Sequence, residues 1–131
     1  MTTLQWDDQL HLDLPQLDTI HREFVDLLAQ TGTLGVGVSC MEDLGEVKAR
    51  CRNRLAVVGN LDGISMVGWT CEQAARNVRE AIAKAAPGGG FVLSDNHGEI
   101  PWHVPDEVIL AMAEAARTFG RYPLEAVAAH E

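Results

Sequence analysis

Three short apolar runs alternate with helical patterns along the central part of the chain. The runs cover residues 34–38, 55–58 and 91–93, and apolar residues at helical spacing follow each of them. Short apolar strands that alternate with helices are typical of a parallel sheet with right-handed crossover connections. The pattern therefore predicts an α/β fold with about three βα units.

Each predicted helix has its own start signal. Asp43 is a good N-cap with Glu46 three residues later, Thr70 and Gln73 form a capping box, and the last helix starts near Pro105. Residues at helical spacing predict the buried stripes. The stripes are Leu44, Val47 and Cys51, then Ala74, Val78, Ile82 and Ala85, and finally Val108, Met112, Ala115 and Phe119. Gly120 is expected to end the last helix, and Pro123 prevents its continuation.

The first 32 residues predict an extended lead-in and then one additional helix. Pro15 is suited to its first turn, and apolar residues from Leu17 to Leu28 recur at helical spacing. His21 lies on that apolar face, where both a buried structural role and a ligand role are open. The alanine-rich tail over residues 124–131 is expected to be partly helical.

Polar residues follow each of the three predicted strands. They are Glu42 and Asp43, then Asn60 and Asp62, then Asp95, Asn96 and His97. Because the carboxyl ends of adjacent parallel strands share one edge of a sheet, we expect these three loops to meet in a binding or catalytic site. The alternative is purely structural. In this alternative, Asp95 and Asn96 form an Asx-type turn, and Asn60 and Asp62 only form a turn and cap a helix.

Composition and charge limit which partners the chain is expected to bind and in which compartment it is expected to work. The chain has 131 residues and a net charge of -9, which argues against nucleic-acid or anionic-membrane binding. No apolar run has the length of a membrane span. Three cysteines without CxxC spacing favour core positions in a reducing, cytoplasmic protein over a disulfide framework.

Residues 33–124 resemble the C-terminal part of the uroporphyrinogen decarboxylase family, which includes cobamide-dependent methyltransferases. The segments that carry the resemblance, in order, are DLGEVK, VVGNLD, GGFVLS, NHGEIP, AAR and GRYP. The resemblance implies a partial TIM barrel, namely its last three βα units. It gives His97 the position of the substrate-binding histidine of the decarboxylases, where zinc methyltransferases carry a cysteine ligand. It also places residues 59–62 in a loop beside the pocket.

Two departures from the family bear on activity. The family's amino-terminal half, with its arginine-bearing loop and its pyrrole-binding aspartate, has no counterpart here. The His-x-Cys zinc pair of the methyltransferases is also missing, because residues 38–40 read Val-Ser-Cys. Whether the chain is an enzyme, as a carboxy-lyase or a methyltransferase, therefore stays open at this point.

The resemblance still implies a definite site. His97 would be the catalytic hydrogen-bond donor or proton shuttle, and Asn60, Asp62, Asp95 and Asn96 would bind a tetrapyrrole or corrinoid-linked substrate. No cofactor is expected, with zinc on His97 and Cys40 as the alternative. A non-catalytic scaffold or binding module is the second hypothesis for the whole chain. Because three strands cannot close a barrel, we expect a homodimer or a partner that supplies the missing strands.

Residues 4–30 resemble the opening of a bacterial hemerythrin. The segments LQW, LPQLD and HREFV carry this second resemblance, and it implies that His21 is an iron ligand. The later histidine and carboxylate ligands of that family are absent, so iron or oxygen binding is the third hypothesis. The predicted organisation is a hemerythrin-like segment over residues 1–32, the βα units over 33–124 and a tail over 125–131. A natural fusion, an engineered chimera and a faulty gene model would each give this order.

Overall fold

The computed structural model describes residues 23–51 and 53–124, in which three strands alternate with helices. Residues 23–28 are helical and are called α1. The other elements, in chain order, are β1 (Gly35–Gly37), α2 (Leu44–Cys51), β2 (Ala56–Leu61), a 3-10 turn (Ser65–Gly68), α3 (Cys71–Ala85), β3 (Phe91–Asp95) and α4 (Asp106–Phe119).

The strands form one open, parallel sheet in the order β1-β2-β3. Val36 pairs with Val57, and Val57 pairs with Phe91, so these three residues form one row across the sheet. Gly37, Val58 and Val92 form the next row. A parallel strand followed by a helix is the repeating unit of a TIM barrel, which closes with eight strands, and this sheet contains three such units. The predicted α/β class and partial-barrel architecture are confirmed.

Two strands extend further than the apolar pattern predicts. β2 continues through Gly59 and Asn60 to Leu61, and β3 continues to Asp95. The predicted ends at residues 58 and 93 were wrong because polar residues were assigned to loops. In the structure, Asn60 pairs with Ser94 and Leu61 pairs with Asp95, and this backbone pairing extends both strands. The polar side chains therefore sit on the strand ends themselves.

The helix start signals are confirmed. Asp43 Oδ1 accepts a hydrogen bond of 2.9 Å from the backbone N–H of Glu46. The Thr70 hydroxyl accepts from the N–H of Gln73 at 3.1 Å, and the Gln73 side chain accepts from the N–H of Thr70 at 2.8 Å. α4 starts after Pro105 without a side-chain cap. Both caps satisfy N–H groups that a helix start leaves without partners.

Gly120 ends α4 as expected, although not in the left-handed conformation. Its φ is −92°, and its N–H donates to the carbonyl of Ala116 at 2.9 Å. A Cβ on residue 120 would lie 2.5 Å from that carbonyl oxygen. Close backbone approach is therefore the reason for a glycine at this position.

The core lies between the helices and one face of the sheet. All the residues of the three predicted stripes are buried except Phe119, which is half-buried over the guanidinium of Arg79 at 5.0 Å. The 3-10 turn was not predicted, and it buries Met66. The opposite face of the sheet is more open, since Val92 is 53% exposed.

Helix α1 lies against the same core. Val25 and Leu28 of this helix, and Ala29 directly after it, are partly buried against the core, and Asp26 forms an ion pair with Arg50 of α2 at 3.8 Å. The additional helix is thus confirmed over residues 23–28. Its predicted beginning, His21 and the tail over residues 125–131 lie outside the described residues. Within the described ranges, none of the helices has the length and apolar character needed to cross a membrane.

Candidate functional site

A tight turn at the end of β3 presents His97. The Asp95 carboxylate accepts hydrogen bonds from the backbone N–H of His97 at 3.1 Å and from that of Gly98 at 2.9 Å. The Ser94 hydroxyl donates to the same carboxylate at 3.3 Å, and Asp95 is only 9% exposed. The Asx-type turn considered from the sequence is confirmed. A substrate contact through Asp95 stays a prediction.

Asn96 connects all three loops at the carboxyl edge of the sheet. Its Oδ1 accepts from the N–H of Gly63, in the loop after β2, at 3.1 Å. Its Nδ2 lies 3.1 Å from the Cys40 sulfur, in the loop after β1, and 3.3 Å from Nε2 of His97. The predicted convergence of the three loops is therefore present, and one side chain ties them together.

Asn60 and Asp62 hold the backbone of neighbouring loops. Asn60 Nδ2 donates to the carbonyls of Ser39 at 2.9 Å and Glu42 at 3.0 Å. Asp62 accepts from the N–H groups of Ile64 at 3.1 Å and Ser65 at 3.3 Å, and from the Ser65 hydroxyl. These bonds agree with the structural alternative for both residues. Their substrate-binding role stays a prediction.

Gly59 brings β2 unusually close to the segment after β1. Its φ is +142°, and a Cβ there would lie 2.9 Å from the backbone oxygen of Val38. Only glycine adopts this conformation without strain. The close approach lets the next residue, Asn60, reach the two carbonyls of the loop after β1.

A pocket of about 280 Å³ opens beside this edge, on the side of the helices. Cys40, Asn60 and Asp62 line it, whereas His97 is not among its lining residues. The full set is Cys40, Glu42, Leu44, Asn60, Leu61, Asp62, Trp69, Asn77, Glu80, Ala81 and Lys84. The structure thus divides the predicted site residues into a pocket group and the turn that carries His97, with Asn96 between them.

The pocket is predominantly acidic. Glu42, Asp62 and Glu80 line it, and its cation, Lys84, donates to Asp43 at 3.1 Å. The N–H of Glu46 and then the ammonium of Lys84 lower the pKa of Asp43 below its ordinary value. Because Lys84 already neutralises Asp43, the pocket disfavours anions.

Four pocket residues with polar or aromatic side chains were not predicted from the sequence. Trp69 precedes α3, and Asn77, Glu80 and Lys84 lie on α3. The α3 residues recur at spacings of three and four, so they share one face beside the buried stripe. That spacing is the signal that could have identified them.

Comparison with known proteins gives the family. The model of the uroporphyrinogen decarboxylase family matches residues 18–119. The chain belongs to this family. Uroporphyrinogen decarboxylase of Alkalilimnicola ehrlichii is 33% identical over 94 residues, which are 71% of this chain and 25% of that protein. The enzyme of Xylella fastidiosa is 32% identical over 103 residues, 75% of this chain and 28% of that protein. That of Thioalkalivibrio sulfidiphilus is 28% identical over 91 residues.

The chain spans about a quarter of the length of these uroporphyrinogen decarboxylases. The family match includes Cys40, Asn60, Asp62, Asp95, Asn96 and His97. It also starts at residue 18, inside the segment assigned by sequence to a hemerythrin-like helix. The hemerythrin resemblance and the domain boundaries stay predictions.

The described part of this decarboxylase-family chain holds three cysteines in different environments. Cys51 is buried, which raises the pKa of its thiol, Cys71 is exposed, and Cys40 is half-buried beside Asn96. Among the described residues, no three His, Cys, Asp or Glu side chains lie close enough together to hold a metal ion. Cys40 and His97 both adjoin Asn96, so zinc on this pair stays a prediction. Iron on His21 concerns a residue outside the described ranges.

Proposed function

We propose that this chain forms the His97-bearing wall of a tetrapyrrole site of the uroporphyrinogen decarboxylase type. The observation that carries the proposal is the fixed placement of His97 on the carboxyl edge of a parallel sheet, where βα folds build their active sites. The Asp95 turn sets the backbone of His97, and Asn96 ties that turn to both neighbouring loops.

In this function His97 donates a hydrogen bond to the substrate or moves a proton. Decarboxylation of a pyrrole-bound acetate leaves a carbanion-equivalent that must be protonated, and an imidazole is a suitable proton shuttle. Decarboxylation has more support than cobamide-linked methyl transfer. The zinc methyltransferases carry a cysteine where this chain has His97, and the described residues offer no third ligand near Cys40.

The proposed site needs groups that this part of the fold does not supply. A uroporphyrinogen carries several carboxylates, whereas the chain has a net charge of -9 and an acidic pocket beside the edge. The cationic groups that bind those carboxylates would come from the remaining βα units of a barrel, whichever polypeptide provides them. We therefore expect the sheet of β1, β2 and β3 to bind substrate weakly and to turn it over only when the barrel is completed.

The test is complementation. A uroporphyrinogen decarboxylase relative that lacks its matching C-terminal quarter is mixed with this chain, and uroporphyrinogen consumption is measured. The expected result is activity in the mixture, loss of that activity with His97→Ala, and no loss with the matched control His103→Ala, because His103 is exposed outside the Asp95 turn. Thermal midpoints of both variants check that they fold.

Two outcomes contradict the proposal. One is equal activity of wild type and His97→Ala in a mixture that is active. The other is a mixture that forms a stable complex and yet neither binds uroporphyrin nor consumes uroporphyrinogen.

A second candidate function is association without catalysis, as a homodimer or with a partner that supplies strands. The observation that favours it is the open sheet, which has two edges and an exposed Val92 on its uncovered face. Apolar side chains are also exposed on the loops that follow β2 and β3, namely Ile64, Ile100 and Trp102. Light scattering at micromolar concentration tests this second function. A protein that stays monomeric and binds no fragment of a related barrel would contradict it.

A further inference from the structure

The orientation of the Asn96 amide is fixed by a donor that cannot reverse its role. The backbone N–H of Gly63 donates to the amide atom 3.1 Å away, so that atom must be the oxygen, Oδ1. The other amide atom, Nδ2, therefore faces Cys40 and His97. An amide nitrogen carries two hydrogens and accepts no hydrogen bond.

These two hydrogens account for the two remaining neighbours of Asn96. One is directed to the Cys40 sulfur at 3.1 Å and the other to Nε2 of His97 at 3.3 Å. For the second bond to exist, Nε2 must offer its lone pair. A neutral imidazole has one protonated and one unprotonated nitrogen, so its proton must then reside on Nδ1.

We infer that Asn96 is a positioning residue that holds neutral His97 in its Nδ1–H tautomer. Two hydrogen bonds, from Gly63 N–H to Asn96 Oδ1 and from Asn96 Nδ2 to His97 Nε2, transmit the position of the β2 loop to the imidazole. Asn96 also anchors the Cys40 loop, so the tautomer and the closure of the three loops depend on one side chain.

The tautomer determines which nitrogen of His97 can donate a hydrogen bond. A neutral His97 can donate its hydrogen bond only from Nδ1, while Nε2 is occupied as an acceptor. The tautomer assignment depends on the hydrogen bonds alone. Its use in contacting a substrate rests on the proposed function, and the measurement below separates the two.

The experiment is nitrogen NMR of the full chain labelled with ¹⁵N-histidine, at a pH about two units above the ordinary histidine pKa of ~6.5. The chain has five histidines, and the His97 signals are those that disappear in His97→Ala. We expect Nε2 of His97 to show the chemical shift of an unprotonated nitrogen and Nδ1 that of a protonated one. Exposed His103 serves as an internal reference.

Asn96→Asp tests the cause. The variant retains an oxygen for the Gly63 N–H but replaces the donor facing His97 with an acceptor, so the tautomer ratio should reverse toward Nε2–H. Asn77→Asp is the matched control because Asn77 lines the neighbouring pocket and should leave the ratio unchanged. A purely structural role for Asn96 would shift the thermal midpoint without reversing the ratio.

A wild-type spectrum with the proton on Nε2 of His97 overturns the inference without any variant. A folded Asn96→Asp protein that keeps the wild-type ratio also overturns it. A confirmed Nδ1–H tautomer in a chain that fails the complementation test would instead contradict only the proposed function.

Discussion

The two faces of the sheet carry similar side chains in opposite environments. Val57, in the row that faces the helices, is completely buried, whereas Val92, in the next row, is 53% exposed. The helices cover one face, where Val36 and Val57 join the core. On the other face, the equally apolar side chain of Val92 is exposed to solvent.

The difference agrees with the proposal that the strands belong to a larger assembly. Near-continuous apolar runs are typical of parallel strands that are covered on both faces, as in a barrel whose interior is filled by side chains from every strand. Residues 23–51 and 53–124 supply helices for one face only. The open face thus agrees with a chain that spans about a quarter of its decarboxylase relatives.

The largest expected effect on stability concerns Gly59 in β2, the central strand of the sheet. Gly59→Ala should lower the free energy of unfolding by more than about 2 kcal/mol. An alanine held at the positive φ of this position would be strained, and such backbone strain alone costs roughly 1–3 kcal/mol. The new Cβ would also meet the Val38 oxygen. Urea unfolding measures the loss. Gly63→Ala is the control, since its Cβ would lie 3.4 Å from Asp95 Oδ2 in ordinary contact, and an equal loss in both variants would contradict this account.

A matched valine pair tests the two faces directly. Val57→Thr should cost roughly 1–3 kcal/mol, because it places a hydroxyl in an apolar core. Val92→Thr should stay within about 0.5 kcal/mol of wild type, because that side chain already meets solvent. Denaturant midpoints of the two variants check this. Equal costs would mean that the second face is covered in solution.

The helix caps on the covered face should have smaller effects. Thr70→Ala removes the capping box of α3 and should cost about 1 kcal/mol. Thr118→Ala is the control, because its hydroxyl only donates to the Glu114 carbonyl within α4. Thermal unfolding compares them, and a larger loss for Thr118→Ala would contradict the stabilising role assigned to the capping box.

The smallest effect is a pH dependence from Asp43, which links α2 to α3. Its pKa is lowered in the folded state, so its contribution to stability is present above the ordinary carboxyl pKa and is lost as the pH falls through the lowered value. The advantage of wild type over Asp43→Asn should therefore shrink in acid, measured as the difference in thermal midpoint. Lys84→Gln should retain most of this dependence, because the Glu46 N–H is the larger cause. Its complete loss in that variant would contradict the assignment.

Local patterns predicted the helices and failed at the strand ends. Asp43 and the Thr70–Gln73 pair act within a single helical turn, so the sequence alone identifies them. The ends of β2 and β3 depend on pairing between residues more than 30 positions apart, such as Leu61 with Asp95. Polarity suggested loops there, and backbone pairing overrode it.

The candidate site shows the same division. Order along the chain was enough to predict that residues after three parallel strands would meet, and Cys40, Gly63 and Asn96 do meet. It could not predict that Asn96 would be the residue that bonds to both neighbouring loops. It also could not separate the pocket group from the turn that carries His97.

By itself the sequence determined the α/β class, the helix starts, the buried stripes and the family, because these depend on local periodicity, caps and motifs. The tertiary structure alone decided which atoms of Asp95, Asn96 and His97 face one another. Hydrogen bonds among three loops are a property of their packing, and residues distant in sequence supply the donors and acceptors that fix each side chain.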